Sequence, residues 1–337
     1  MTGPTHAATL LIGAMLSACA FGGFDLAAAG AIATSSDTAA SMPHMRSATP
    51  ATAAPAIFAE TAAPAATPPA AGQPAIEPRG RVYLFRGALG PIFSRGMDHL
   101  TERIEQAGFA ASVYEFTICR FIAAKAIREY RQDPAPIILI GHSMGGLCAL
   151  TLAEILQAED ISVSLIVTVD PAQASPSVPL NVERYINVFL SKSVLGGGDV
   201  VPKQGYQGHY ASFDLSEHEE VSHINIDKMD SIHEQIITKI VQLATLPGKA
   251  AAGEAVQLHY VVPPDAAIEL WDSGMPILAR PGDTLQKLAA LHRVPLWSLT
   301  QINPGSDGAP LVPGQRVIVP RHLVPLAAVA RQSPSRR

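Results

Sequence analysis

From Arg81 onward, short apolar runs alternate with stretches whose apolar positions recur every three or four residues. The runs "VYLFRGA", "ASVYEF", "PIILI", "VSLIVTVD" and "RYINVFL" read as strands, with helices over Ser94 to Ala107, Arg120 to Tyr130 and Gly145 to Ala158. That alternation predicts an α/β fold: a mostly parallel sheet with helices on both faces. The strands are apolar at nearly every position, as strands covered on both sides must be. A last helix is expected where Ser231-x-x-Glu234 forms a capping box ahead of Ile232, Ile236, Ile237, Ile240 and Val241. This domain spans 81–248. A linker over 249–275 then leads to a small strand-helix-helix-strand unit over 276–322, and 323–337 form a tail.

The first eighty residues have a different texture. Ala7 to Ala20 is apolar and small, too short to span a bilayer as a finished helix but suited to the core of an export signal, so 1–33 reads as a signal segment. Its end, Leu16-Ser17-Ala18-Cys19, resembles the lipobox of bacterial lipoproteins, which implies lipidation at Cys19 and a membrane anchor. No Lys or Arg precedes the apolar core, and Ala27-Ala28-Ala29 offers an ordinary cleavage site instead. Residues 34–80 are Ala/Pro/Thr-rich and too poor in large apolar groups to offset their ordering entropy; a disordered stalk is expected. The protein is thus expected to be exported to the periplasm or cell envelope.

Composition changes the picture in two ways. Of 337 residues, 48% are apolar but only 6% aromatic, and alanine in the first eighty residues inflates the apolar share, so the core is smaller than the length suggests. The net charge of −5 argues against a nucleic-acid partner, although residues 249–337 alone are basic. Cys19, Cys119 and Cys148 have no metal-site spacing. Cys119 and Cys148 either pair or remain as buried thiols.

Candidate chemistry gathers at Gly141-His142-Ser143-Met144-Gly145-Gly146, between the most apolar strand and a helical run. A serine on so sharp a turn needs neighbours without side chains two residues before and after, and the helix start aims free N–H groups at the same spot. These residues resemble the α/β-hydrolase family, over Arg81 to about Pro247. The resemblance implies Ser143 as nucleophile, a histidine base before the last helix and a carboxylate between them in the chain. His223 in "VSHINID" matches the base, with His209 next; His218 lies in an acidic cluster that reads as a solvated loop, and His233 falls inside the last helix. Asp170, ending its strand before Pro171-Ala172, is the preferred acid, and Asp199 in "GGGDVVP" the alternative. The family's oxyanion donors map to the N–H groups of Met144 and of Ala88, in a turn where Arg86 replaces the usual histidine. "VLGGG" at 194–198 reads as a mobile flap or an ordinary loop.

The C-terminal unit resembles the LysM family of peptidoglycan-binding modules through Pro281-Gly282-Asp283-Thr284-Leu285, Asn303-Pro304 and Leu311 with Pro313-Gly314-Gln315. That resemblance implies a groove for N-acetylglucosamine-containing glycan at Gly282, Asp283, Thr284, Leu285, Asn303 and Pro304. Together the two resemblances imply an exported serine hydrolase of carboxylesterase or lipase type, acting on acyl esters without metal or cofactor and attached to the cell wall. A thioesterase or acyltransferase using the same three residues, or a non-catalytic peptidoglycan-binding envelope protein, are the alternatives.

Overall fold

The computed structural model describes residues 80–88, 90–245, 254–306 and 308–322. The segment read as an export signal, Cys19, the expected stalk up to residue 79 and the whole tail lie outside the described residues.

The chain begins with β1 (Arg81–Arg86), a short helix α1 (Gly90–Phe93), α2 (Gly96–Gln106), β2 (Ala110–Glu115) and α3 (Cys119–Gln132). It continues through β3 (Ile137–His142), α4 (Met144–Gln157), β4 (Leu165–Val169), β5 (Arg184–Phe189), β6 (His209–Asp214), α5 (Asp230–Thr245) and β7 (Leu258–Val261). These seven strands form one parallel sheet in the order β2-β1-β3-β4-β5-β6-β7. Side chains alternate across a strand, and the two faces sort accordingly. Val82, Leu84, Ile138 and Ile140 share a core with α2 and α5 residues such as Leu100, Ile104, Ile236 and Ile240. Tyr83, Phe85, Ile137 and Leu139 pack with Ile122 and Ala126 of α3 and with Leu152 and Ala153 of α4.

The C-terminal unit is a two-stranded antiparallel sheet, β8 (Gly274–Leu278) with β9 (Arg316–Pro320), enclosing α6 (Leu285–His292) and α7 (Leu296–Ile302). Thr284 caps α6, its hydroxyl accepting from the Lys287 N–H at 3.2 Å.

Several expectations are corrected. Segment 249–275, read as a linker, contains β7, and its Leu270 and Trp271 are fully buried. The reason is that β6 would otherwise be an open edge, and the four-residue β7 satisfies its backbone groups. "HYASFD", whose polar residues mask the apolar alternation, is β6, and it places His209 at a strand start. The last helix starts at Asp230, so Ser231 lies inside it and the capping box is not its opening. Of the two states open to Cys119 and Cys148, the structure holds the disulfide, which ties the start of α3 to α4. Among the described residues, no helix is long and apolar enough to cross a membrane.

Candidate active site

Strand β3 delivers Ser143 with φ of 55° and ψ of −122°, a conformation in the left-handed half of backbone space that non-glycine residues rarely hold. The flanking glycines explain how it is held. A Cβ on Gly141 would lie 2.2 Å from the Gly145 carbonyl oxygen, and one on Gly145 would lie 2.1 Å from that of Phe85. Gly146 lets α4 approach Pro171, whose Cβ would be 2.8 Å from an added methyl. The turn is pinned further by the Ser143 N–H donating to the Val169 carbonyl at 3.1 Å, and by the Ser143 carbonyl accepting from Ala172 at 3.2 Å.

Asp170 follows β4 with φ of 40° and is fully buried. One carboxylate oxygen accepts from the N–H groups of Leu190 (3.1 Å) and Gly197 (2.8 Å). The other lies 2.6 Å from Nδ1 of His223. With Nδ1 bound to the carboxylate, Nε2 is the ring nitrogen that keeps a lone pair. Asp199 is elsewhere: Ser212 donates to it at 2.9 Å and Tyr210 at 3.5 Å. The structure therefore brings Asp170, and not Asp199, to His223. The glycines of "VLGGG" serve this contact, since a Cβ on Gly196 would sit 2.4 Å from the Asp170 carboxyl carbon. Gly196 and Gly197 close around the carboxylate, and Gly198 donates to the Pro171 carbonyl at 3.0 Å.

The other histidines are placed apart. His209 faces Ser273 at 2.9 Å, and burial pushes its pKa down to about 4. His218 is buried beside Glu220 instead of solvated, because the 216–223 loop folds inward to line a cavity. His233 is buried in α5 and donates from Nε2 to the Asp227 carbonyl at 2.7 Å.

A network that the sequence reading missed runs through His142. Its Nε2–H donates to the His223 backbone carbonyl at 3.0 Å, while Nδ1 accepts from the Ser94 hydroxyl at 2.6 Å. Ser94 Oγ in turn accepts from the Gly87 N–H at 3.1 Å. A Cβ on Gly87 would be 2.9 Å from that of Ser143, so the turn carrying Ala88 lies against the nucleophile. Burial first, and the neighbouring His223 second, push the His142 pKa down to about 4, which keeps the ring neutral. The only sequence signal was a histidine ending a wholly apolar strand. Arg86, in the place of the usual histidine, instead forms ion pairs with Asp98 and with Glu115, the latter at 2.8 Å.

Met144 opens α4, so its N–H has no intrahelical acceptor. Ala88 is exposed at the neighbouring turn. A cavity of about 390 Å³ opens beside His223, lined by Leu190, Lys192, Ser193, His218 and Val221 among others. It has room for part of a small organic substrate.

In the C-terminal unit, Gly282 has φ of +81° with open space around it, and Asp283 accepts from the Arg280 N–H at 2.7 Å. Leu285 is a core residue at 2% exposure. Asn303 donates to the carbonyls of Leu299 (2.9 Å) and Ile318 (2.8 Å) and accepts from the Ile318 N–H at 2.7 Å, so its polar atoms are engaged in joining α7 to β9. Pro304 is exposed.

A family model described as "Alpha/beta hydrolase family" matches residues 105–327. No curated protein matches the chain. Among solved structures, a putative hydrolase of the alpha/beta superfamily from Xanthomonas campestris pv. campestris is 15% identical, with 49% of this chain and 98% of that chain covered and a TM-score of 0.31. The esterase domain of a Rhodothermus marinus protein is 14% identical, covering 37% and 68%, with a TM-score of 0.28. The RedJ thioesterase from the prodiginine biosynthetic pathway in Streptomyces coelicolor is 21% identical, covering 31% and 44%, with a TM-score of 0.22. At such identities and scores these likenesses say nothing of the chemistry of this chain.

Proposed function

The chain belongs to the alpha/beta hydrolase family, and from that premise we propose that it is an exported serine hydrolase acting on carboxylic esters through Ser143, His223 and Asp170. The observation that carries the reading is the 2.6 Å contact between Asp170 and His223, whose ring lies 4.9 Å from that of His142, the residue before a serine held at positive φ. A fold with no use for the serine would have no reason to retain that strained turn.

In the proposed reaction, Ser143 Oγ attacks the acyl carbonyl as its proton passes to Nε2 of His223, and the resulting imidazolium is stabilised by Asp170. The N–H groups of Met144 and Ala88 hold the tetrahedral oxyanion. His223 then protonates the leaving alkoxide, leaving an acyl-serine. Water, deprotonated by His223, attacks that ester and releases the acid and the free serine. A thiol leaving group or an alcohol acceptor would use the same steps, so product analysis with ester, thioester and added alcohol fixes the reaction class.

The experiment is active-site labelling with a fluorophosphonate. Labelling of the wild type and its loss in Ser143→Ala and His223→Ala are expected; an unlabelled wild type overturns the reading. Asp170→Ala should slow labelling on the order of 10⁴-fold, whereas Asp199→Ala should leave it near wild type. The disulfide between Cys119 and Cys148 supports export, since such bonds persist in oxidising compartments.

For the C-terminal unit we propose peptidoglycan binding, supported by its strand-helix-helix-strand order and the open surface at Gly282. Retention of the full chain on purified peptidoglycan tests it. Retention that is absent, or unchanged by Gly282→Trp, would remove the proposal.

A further inference from the structure

On the α2–α5 face, His99, Asp230 and His233 each offer one ligand atom, and these atoms lie within 4.8 Å of one another. The proposed hydrolysis uses none of them. The sequence explains their meeting: Asp230 and His233 are three residues apart at the start of α5 and share one face, and α2 runs alongside with His99 in its first turn. The two imidazole centroids are 5.6 Å apart.

His233 supplies the independent observation. It is 1% exposed, and its Nδ1 has no hydrogen-bond partner, although buried polar atoms are nearly always paired. Its other nitrogen, Nε2, donates to the Asp227 carbonyl at 2.7 Å, which leaves Nδ1 as the lone-pair nitrogen. Metal-binding histidines are commonly oriented by this arrangement, one ring N–H given to a carbonyl and the opposite nitrogen left for the ion. The carbonyl is itself fixed, because Asp227 Oδ2 accepts from the Gly96 N–H at 3.0 Å and Gly96 packs against Asp227 so closely that a Cβ would lie 1.8 Å from that carbonyl oxygen.

We propose that His99, Asp230 and His233 form a site for a divalent transition-metal ion, zinc by preference, with water completing the coordination. Two imidazoles and one carboxylate suit Zn²⁺, whereas Mg²⁺ and Ca²⁺ favour all-oxygen sets. Closing the three atoms around an ion requires a contraction, and it falls to His99 and Asp230, whose side chains are exposed and able to turn. Arg103 now contacts Asp230 at 3.2 Å and Glu234 at 3.7 Å. When Asp230 turns to the ion, Arg103 keeps Glu234. The bound ion would pin the first turn of α5 to α2, just after the 226–228 turn that follows His223 in the chain.

The test is Zn²⁺ titration by calorimetry of the untagged, metal-stripped full chain, with His99→Ala and Asp230→Asn in parallel. Both substitutions alter exposed side chains outside the proposed catalytic machinery, and far-UV circular dichroism checks that each variant is folded. Expected are one Zn²⁺ per chain, no comparable uptake of Mg²⁺, and affinity weakened by more than about tenfold in each variant. Absence of uptake by the wild type, equal uptake of Mg²⁺, or a smaller loss in either variant overturns the proposal. Because fluorophosphonate labelling is read separately, this result stands apart from the assignment of Ser143.

Discussion

His142 shows how much one side chain can hold together. Both ring nitrogens are engaged, one with Ser94 and through it with the oxyanion turn, the other with the backbone of His223. A protonated ring would put a second donor where Nδ1 now accepts from Ser94. His142→Ala is therefore expected to lower the acylation rate on the order of 10- to 100-fold by displacing the base and the oxyanion donors. Its positioning role predicts a fall in kcat with KM little changed, measured with an activated ester. The pH dependence of stability is a second readout. In the unfolded chain this histidine takes up its proton near its ordinary pKa of 6.5, in the folded chain only near 4. Between those values the unfolded state binds more protons, so stability falls as pH is lowered from about 6.5 to 4, by on the order of 3 kcal/mol for the whole shift. His209, also pushed down to about 4, acts in the same sense. Asp227, raised by burial to about 6, acts in the opposite sense, stabilising below its unfolded pKa and losing that contribution as pH rises through 6. His142→Gln should flatten the acid limb of urea-melt stability; an unchanged slope would show that His142 does not titrate this way.

Among the elements, the turn from β3 into α4 depends on two glycines for steric reasons that allow no compromise. Gly141→Ala or Gly145→Ala would press a methyl into backbone carbonyls at 2.2 and 2.1 Å, so each should cost several kcal/mol or prevent folding. Gly196→Ala is the more discriminating change. It crowds the Asp170 carboxyl from a surface loop, and labelling by fluorophosphonate should fall steeply while the thermal midpoint moves much less. The α3–α4 disulfide spans a sequence separation of 29. Loop-closure entropy for that length puts the loss on replacing both cysteines by alanine at about 3–4 kcal/mol, read by urea denaturation.

At the scale of the whole molecule, the C-terminal unit is not an appendage on a tether. Its apolar residues continue the core shared by β1, β3, α2 and α5. Tyr260 of β7 stacks on Phe213 at 5.6 Å and meets Trp271 and Trp297 edge-on at 5.5 and 5.4 Å. Gln301 of α7 bonds both the N–H and the carbonyl of Val261, at 3.2 and 2.6 Å, satisfying the outer edge of the sheet with an amide side chain. Fully buried Asp272 joins Arg184 of β5 at 3.3 Å and Arg321 beyond β9, whose Nε donates at 3.1 Å. Asp272→Ala would leave Arg321 without its carboxylate and Arg184 with only Glu183, at 3.2 Å, and a loss of roughly 3 kcal/mol is expected. Calorimetry should show one cooperative transition that moves down as a whole. A separate transition for the C-terminal unit, with the other unmoved, would refute the continuous core.

What the sequence determined by itself was local and repetitive: strands apolar at nearly every position, helices with period near four, and a glycine-flanked serine between them. Those patterns specified the fold class and singled out Ser143, because both follow from rules acting over a few neighbouring residues. The family resemblance narrowed the partners to His223, with His209 next, and to Asp170 or Asp199, without bringing any pair together. Tertiary structure decided the rest, through contacts between residues far apart in the chain. It placed Asp170 against His223 and Asp199 against Ser212, gave Gly196 and Gly197 to the carboxylate, and buried His142 between two turns of the site. It also made a strand of the presumed linker, since an unpaired sheet edge needs a partner whatever the composition of the segment that supplies it.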